Sequence, residues 1–198
     1  MMRRQTHSAG FSLVETLVAV TVLLVLIVGP MSVTVRSTRS ASLATEQATA
    51  YFLAQEGLEL AQKARDDLLL EFLDGSLGDP WTEFTDPGGR FDACLPPYGS
   101  ADGCGLVVAD DGSGTVDVIE CLSDNCRVYR DDSGSSDRAR FRHDSDLTQT
   151  PYTRTIQFEQ VAGREVQVTS VVTWRTGSIA EEQRVTVDSY LFNLYDAP

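Results

Sequence analysis

The stretch Gly10-Phe11-Ser12-Leu13-Val14-Glu15-Thr16, running directly into the apolar segment 17–28, decides how this chain is built. Within 17–28 the only polar side chain is Thr21, and apolar character continues more thinly to Val35. Residues 17–35 make about 28 Å of helix at a rise of about 1.5 Å per residue. With 11–16 added, the segment is long enough to cross a bilayer with some tilt. Beyond Arg36 the chain becomes polar and acidic, so the first fifth suits lipid and the rest suits water. One side chain is out of place. An ionised carboxylate such as Glu15 costs on the order of several kcal/mol in hydrocarbon. Either it reaches the headgroup layer from the helix end, or it has a partner.

What precedes the apolar run narrows the reading. A secretory signal peptide has a basic start, an apolar core and then a small-residue cleavage site. Here Ser8, Ala9 and Gly10 stand before the apolar run, and no cysteine follows it closely, as a lipoprotein site would require. A plain signal anchor would have no use for Glu15.

The order basic leader, Gly10, Phe11 and Glu15 as fifth residue after the glycine resembles the processing site of type IV prepilins. Pseudopilins of type II secretion and competence systems share it. The resemblance covers roughly residues 3–35 and implies several roles. A membrane prepilin peptidase would cut between Gly10 and Phe11 on the cytoplasmic face and N-methylate Phe11. Glycine suits such a cut because no side chain obstructs an extended backbone. Glu15 would compensate the ammonium of Phe11 in a neighbouring subunit, since two charges costly in lipid become tolerable once paired. The implied partners are the peptidase, other pilin or pseudopilin subunits, an inner-membrane assembly platform and membrane lipid. The chain would be single-pass in the cytoplasmic membrane, head extracytoplasmic, before entering a pilus or pseudopilus. Arg3 and Arg4 before the run are matched by Arg36 and Arg39 after it, so charge count does not orient it. The orientation follows from the processing site.

The expected organisation is a leader at 1–10, a transmembrane or filament-core helix at 11–35 and a head at 36–198. Gly29-Pro30 predicts a kink or local unwinding, because proline removes a backbone bond and crowds the preceding turn. Family members carry comparable helix-weakening residues in this half. Residues 40–72 read as a helical spine, with Ala50, Ala54, Leu58, Ala61 and Leu68 forming an apolar stripe and Glu59 and Lys63 at i,i+4 on the other side. The stretch Ala50-Tyr51-Phe52-Leu53-Ala54-Gln55-Glu56-Gly57-Leu58-Glu59 resembles minor pilins and minor pseudopilins more than major ones.

Residues 75–114 read as loop, with Trp81, Phe84 and Phe91 tucking it onto the core. Strands are expected at 115–120, 127–130, 153–158, 165–174 and 183–192, with turns at 162–164 and 176–178 and an exposed turn at 131–137. The fold class is therefore α+β and pilin-like: a long N-terminal helix packed on a C-terminal antiparallel meander.

Four cysteines, Cys94, Cys104, Cys121 and Cys126, lie distal to the apolar segment and allow three pairings. Short loops favour Cys94–Cys104 and Cys121–Cys126, and export favours disulfides. Zinc competes poorly, because neither pair has two-residue spacing and His143 has no partner histidine. Asp110, Asp111, Asp117, Asp131, Asp132 and Asp137 do not follow the spacing of a calcium hand. His143 and its neighbouring serines form no nucleophile–base motif, and His7 falls in the leader. No enzyme activity, cofactor or metal is expected.

The net charge is −13, and the leader holds two arginines and no acid, so the chain from Phe11 onward carries −15. Such a surface repels nucleic-acid phosphates, so no nucleic acid is expected as a partner by itself. A structural filament subunit, minor pilin or pseudopilin, is the leading function. The alternative is an adhesin or other binding head displayed on a pilus or membrane through the same anchor. An extracytoplasmic enzyme on that anchor has little in its favour.

Overall fold

The computed structural model describes residues 10, 12–97, 103–109, 112–122, 126–132, 140–175 and 181–193. The chain divides into two compact units, Met1–Thr45 and Glu46–Pro198. Helix α1, Leu13–Leu73, contributes to both.

In the first unit, the large apolar side chains from Leu13 to Val35 are exposed, and none of the most apolar helical window is buried. Two hydroxyls in this stretch bond back to the helix's own backbone. Thr16 Oγ1 donates to Leu13 O at 2.8 Å, and Thr21 Oγ1 donates to Val18 O at 2.8 Å. That matters in lipid, where no water replaces a missing partner. Helix α1 includes Gly29 and Pro30. Proline's fixed φ is itself helical, so one absent N–H donor can be carried by the bonds on either side.

In the second unit, α1 packs on a seven-stranded sheet. The strands are β1 (Cys104–Val108), β2 (Val116–Glu120), β3 (Arg127–Asp131), β4 (Arg140–Arg142), β5 (Thr148–Ala162), β6 (Glu165–Trp174) and β7 (Gln183–Phe192). All pairings are antiparallel. β5, β6 and β7 form the expected meander, in register from Tyr152↔Trp174 and Trp174↔Gln183. The opposite edge of β5 is shared: β3 pairs along its first half and β1 meets it at Ile156. β5 is longer than the segment 153–158 that the sequence marks, and β4 has no counterpart in the sequence reading.

The region 75–114, read as loop, holds three elements. They are α2 (Pro80–Thr85), a 3-10 turn at Asp92–Cys94, and β1. Asp79 caps α2, its Oδ1 accepting from Trp81 N at 3.0 Å, and Pro80 occupies the first turn, where its missing N–H costs nothing. Trp81, Phe84 and Phe91 are buried as expected. Phe84 lies 4.8 Å from Phe158 and 5.6 Å from Phe91, ring centre to ring centre. Trp81 Nε1 donates to Gly163 O at 3.0 Å.

The helix face that meets the sheet reads Ala50, Leu53, Ala54, Gly57, Ala61, Ala64 and Leu68, all buried. Leu58, placed in the stripe by the sequence, is only partly buried. Two clusters result. One joins Ala61, Ala64 and Leu68 to α2, β1 and β5–β7; the other joins Ala50, Leu53 and Ala54 to Val128, Tyr152, Val172 and Trp174. Lys63 pairs forward with Asp67 at 2.7 Å and not back with Glu59. Asp67 Oδ2 also accepts from Val116 N at 3.0 Å, tying the helix to β2.

Disulfides join Cys94 to Cys104 and Cys121 to Cys126, with Cα separations of 4.7 and 5.2 Å. The first anchors the 3-10 turn to β1; the second links the chain leaving β2 to the chain entering β3. Arg90 makes a two-pronged contact with Glu71, both N–O distances 2.7 Å, and holds that carboxyl below its ordinary range.

Candidate functional site

Of the N-terminal candidates, Gly10 and Glu15 fall among the described residues. Gly10 is exposed and non-helical, and a side chain added there would meet nothing within 4 Å. Phe11 lies outside the described residues. α1 begins at Leu13, and Thr16 N donates to Ser12 O at 3.1 Å. Glu15 therefore sits in the first helical turn, where the free N–H groups favour negative charge. It is exposed. Gly10 thus leaves its backbone unobstructed by a side chain, and Glu15 presents an acceptor within the first turn of the helix. Gly29 and Pro30 lie further along the same helix, and the four cysteines lie in the second unit.

The head carries a second feature that the sequence does not single out. Arg154, on β5, is 1% exposed. Its Nη1 pairs with Glu56 Oε2 at 2.7 Å and donates to Leu53 O at 3.3 Å, while its Nε has no protein partner. Burial lowers the pKa of the guanidinium, and Glu56 opposes that shift. The signal was one of phase. Arg154 lies between Tyr152, Ile156 and Phe158 on the inward side of β5, and Glu56 lies one residue from the buried Gly57.

His143 packs nearby. Its Nδ1 lies 2.9 Å from Arg127 O, which can only accept, so Nδ1 carries the proton and Nε2 is left as a buried acceptor without a protein partner. Burial first, then the positive charge of Arg154, lowers its pKa to about 4. His143, Arg154, Glu56, Phe52 and Phe141 line an open groove of about 1040 Å³ between α1 and the sheet.

Among the described residues, no group of three or more His, Cys, Asp or Glu side chains could hold a metal ion. Asp110, Asp111 and Asp137 lie outside the described residues. Asp132 pairs with Arg130 at 2.7 Å.

A search of curated proteins and of solved structures finds no match to the chain. Residues 5–29 match the family model of the prokaryotic N-terminal methylation motif. The match spans Gly10, Phe11, Glu15 and most of the exposed apolar helix, and it supports a type IV pilin-like or pseudopilin protein. The chain carries, at its N-terminus, the methylation motif that is the signature of type IV prepilin-like proteins.

Proposed function

We propose that this chain is a structural subunit, a minor pilin or pseudopilin, of a type IV pilus or type II secretion-like filament. The observation that carries the reading is the methylation motif at residues 5–29 leading into an exposed apolar helix, in which the Thr16 and Thr21 hydroxyls bond back to the helix backbone. Prepilin peptidase removes residues 1–10, cutting after Gly10, and the new N-terminus at Phe11 is methylated. Before assembly the helix holds the subunit in the cytoplasmic membrane, and the disulfide-stapled head stands on the extracytoplasmic side. The assembly platform then moves the subunit sideways out of lipid, with Glu15 meeting the Phe11 ammonium of a neighbour. That pairing removes two isolated charges from hydrocarbon at once and so fixes axial register. Apolar side chains of the helix remain buried throughout, first in lipid and then in the filament core.

The experiment is intact mass and N-terminal sequencing of the protein from its native envelope. A chain starting at methylated Phe11, four hydrogens lighter than the reduced form because of its two disulfides, supports the reading. A chain starting at Met1 or Met2 rejects it in favour of an ordinary signal anchor.

A further inference from the structure

The two units differ in charge. Residues 1–45 hold Arg3, Arg4, Arg36 and Arg39 against Glu15, a net +3, so with the whole chain at −13 residues 46–198 carry −16. Once residues 1–10 are removed, Arg36 and Arg39 are the only Lys or Arg side chains left in the first unit. Heads at −16 repel one another when brought side by side, so an array of them needs a compensating contact.

The head groove offers one. Part of its wall is apolar: Phe52 is 67% exposed and Val108 is 45% exposed, and Leu60 and Phe141 also line it. Glu56 is already neutralised by Arg154. Of the remaining charges, Asp117 and Asp144 outweigh Arg142, which leaves the lining net negative. A complementary face exists on α1 of the first unit. Val35, Arg36, Arg39 and Leu43 fall at helical i, i+1, i+4 and i+8, so they share one side, and all four are exposed.

We propose that this face of one copy docks in the head groove of a second copy, with Val35 and Leu43 against Phe52 and Phe141 and with Arg36 and Arg39 opposite Asp117 and Asp144. The inference rests on the filament-subunit reading and specifies a contact within it. The donor face and the receiving groove are different surfaces. The contact is therefore heterologous and can repeat indefinitely along a helical array.

The test uses the full-length chain in the cells that produce it. A photo-crosslinking residue replaces Phe52, or Val108 in a second variant, and adducts are mapped by mass spectrometry. The expected adduct lies within residues 31–43 of a second copy. Arg36→Glu with Arg39→Glu lowers its yield about fivefold or more, and so does Asp117→Arg with Asp144→Arg; all four changes together restore it. Adducts only to other head residues, to lipid or to a different protein overturn the proposal, as does a yield indifferent to charge reversal. N-terminal sequence and filament recovery are read in the same samples. A processed, filament-borne chain without the 31–43 adduct overturns the docking alone, whereas an unprocessed chain overturns the subunit reading itself.

Discussion

At the scale of single residues, Glu15, Gly57 and His143 each lend themselves to a separate test. Glu15 stands exposed in the first turn of α1, so its removal disturbs no described contact of the fold. Glu15→Ala is therefore expected to be cleaved after Gly10 as before but to enter filaments poorly, measured as the ratio of processed chain in filament and membrane fractions. Equal incorporation of wild type and variant would remove the charge-pairing role. Gly57 is different in kind. A Cβ there would fall on Ser170 Oγ and come within 3.3 Å of Arg154 Cδ and Ile156 Cδ1, so glycine is what lets helix and sheet approach. Gly57→Val should destabilise the head by about 2 kcal/mol, lowering Tm by about 5 °C. Gly57→Ala should lose less, because its better helix propensity, about 1 kcal/mol, offsets part of the crowding. Thermal unfolding followed by near-ultraviolet dichroism of Trp81 and Trp174 reads both. His143 sets a pH dependence. Its pKa falls from 6.5 to about 4 on folding, so between those values the unfolded chain binds the proton and the folded chain does not. Stability is complete above about pH 6.5 and declines as pH falls toward 4, by up to about 3 kcal/mol from this group. His143→Asn keeps a donor for Arg127 O and should flatten that part of a urea-midpoint profile; an unchanged slope would assign the loss to carboxylates.

At the scale of elements, what the sequence discloses depends on whether the signal is local. The N-terminal motif needs only neighbouring residues. The long period-3.6 stripe of α1 and the Val/Thr/Ile runs of β5, β6 and β7 are likewise legible, because each element repeats its pattern many times. α2, the 3-10 turn and β1 are three to six residues long and embedded among Gly, Pro and Asp. Their burial comes from contacts with Phe158 and α1 that no local window contains. The Arg154–Glu56 pair spans 98 positions, and a charged residue in a strand ordinarily argues for the outward face. Phase alone marks it as inward. The short elements also define where the staple matters. The Cys94–Cys104 loop spans 10 residues, and closing a loop of that size in the unfolded chain corresponds to about 3 kcal/mol. Replacing both cysteines by serine should lower the urea midpoint of the head accordingly, whereas the far-ultraviolet helix signal of α1 should change little in detergent. Loss of helix and head signals together would show that α1 depends on the staple.

At the scale of the whole molecule, the chain joins a largely apolar helical segment to a head of strong negative charge, and these impose opposite requirements. The exposed apolar side chains from Leu13 to Val35 need lipid or other helices around them, while the acid head stays soluble and resists crowding. On the proposed filament-subunit reading, such a chain is expected to rest in a membrane when alone and to assemble only where charge repulsion between heads is offset. Salt weakens both repulsion and attraction between exposed charges, with a screening length near 10 Å at about 0.1 M. If Arg36 and Arg39 meet the acid rim, attraction at the contact acts over a few ångströms and repulsion between whole heads over many. Raising salt should then first favour assembly, by screening the longer-range term, and at high salt weaken it. For Arg36→Glu with Arg39→Glu the contact is repulsive at every distance, so its assembly should rise with salt throughout. Pelleting of purified full-length chain after detergent removal, across a salt series, separates the two curves. A wild-type curve that also rises without a maximum would mean that apolar helix packing alone holds the copies together. Deletion of the chain in its own cells then distinguishes its station: loss of filaments or secretion marks a subunit needed to build the machine. Intact filaments with lost surface attachment would instead mark the head as a displayed binding module.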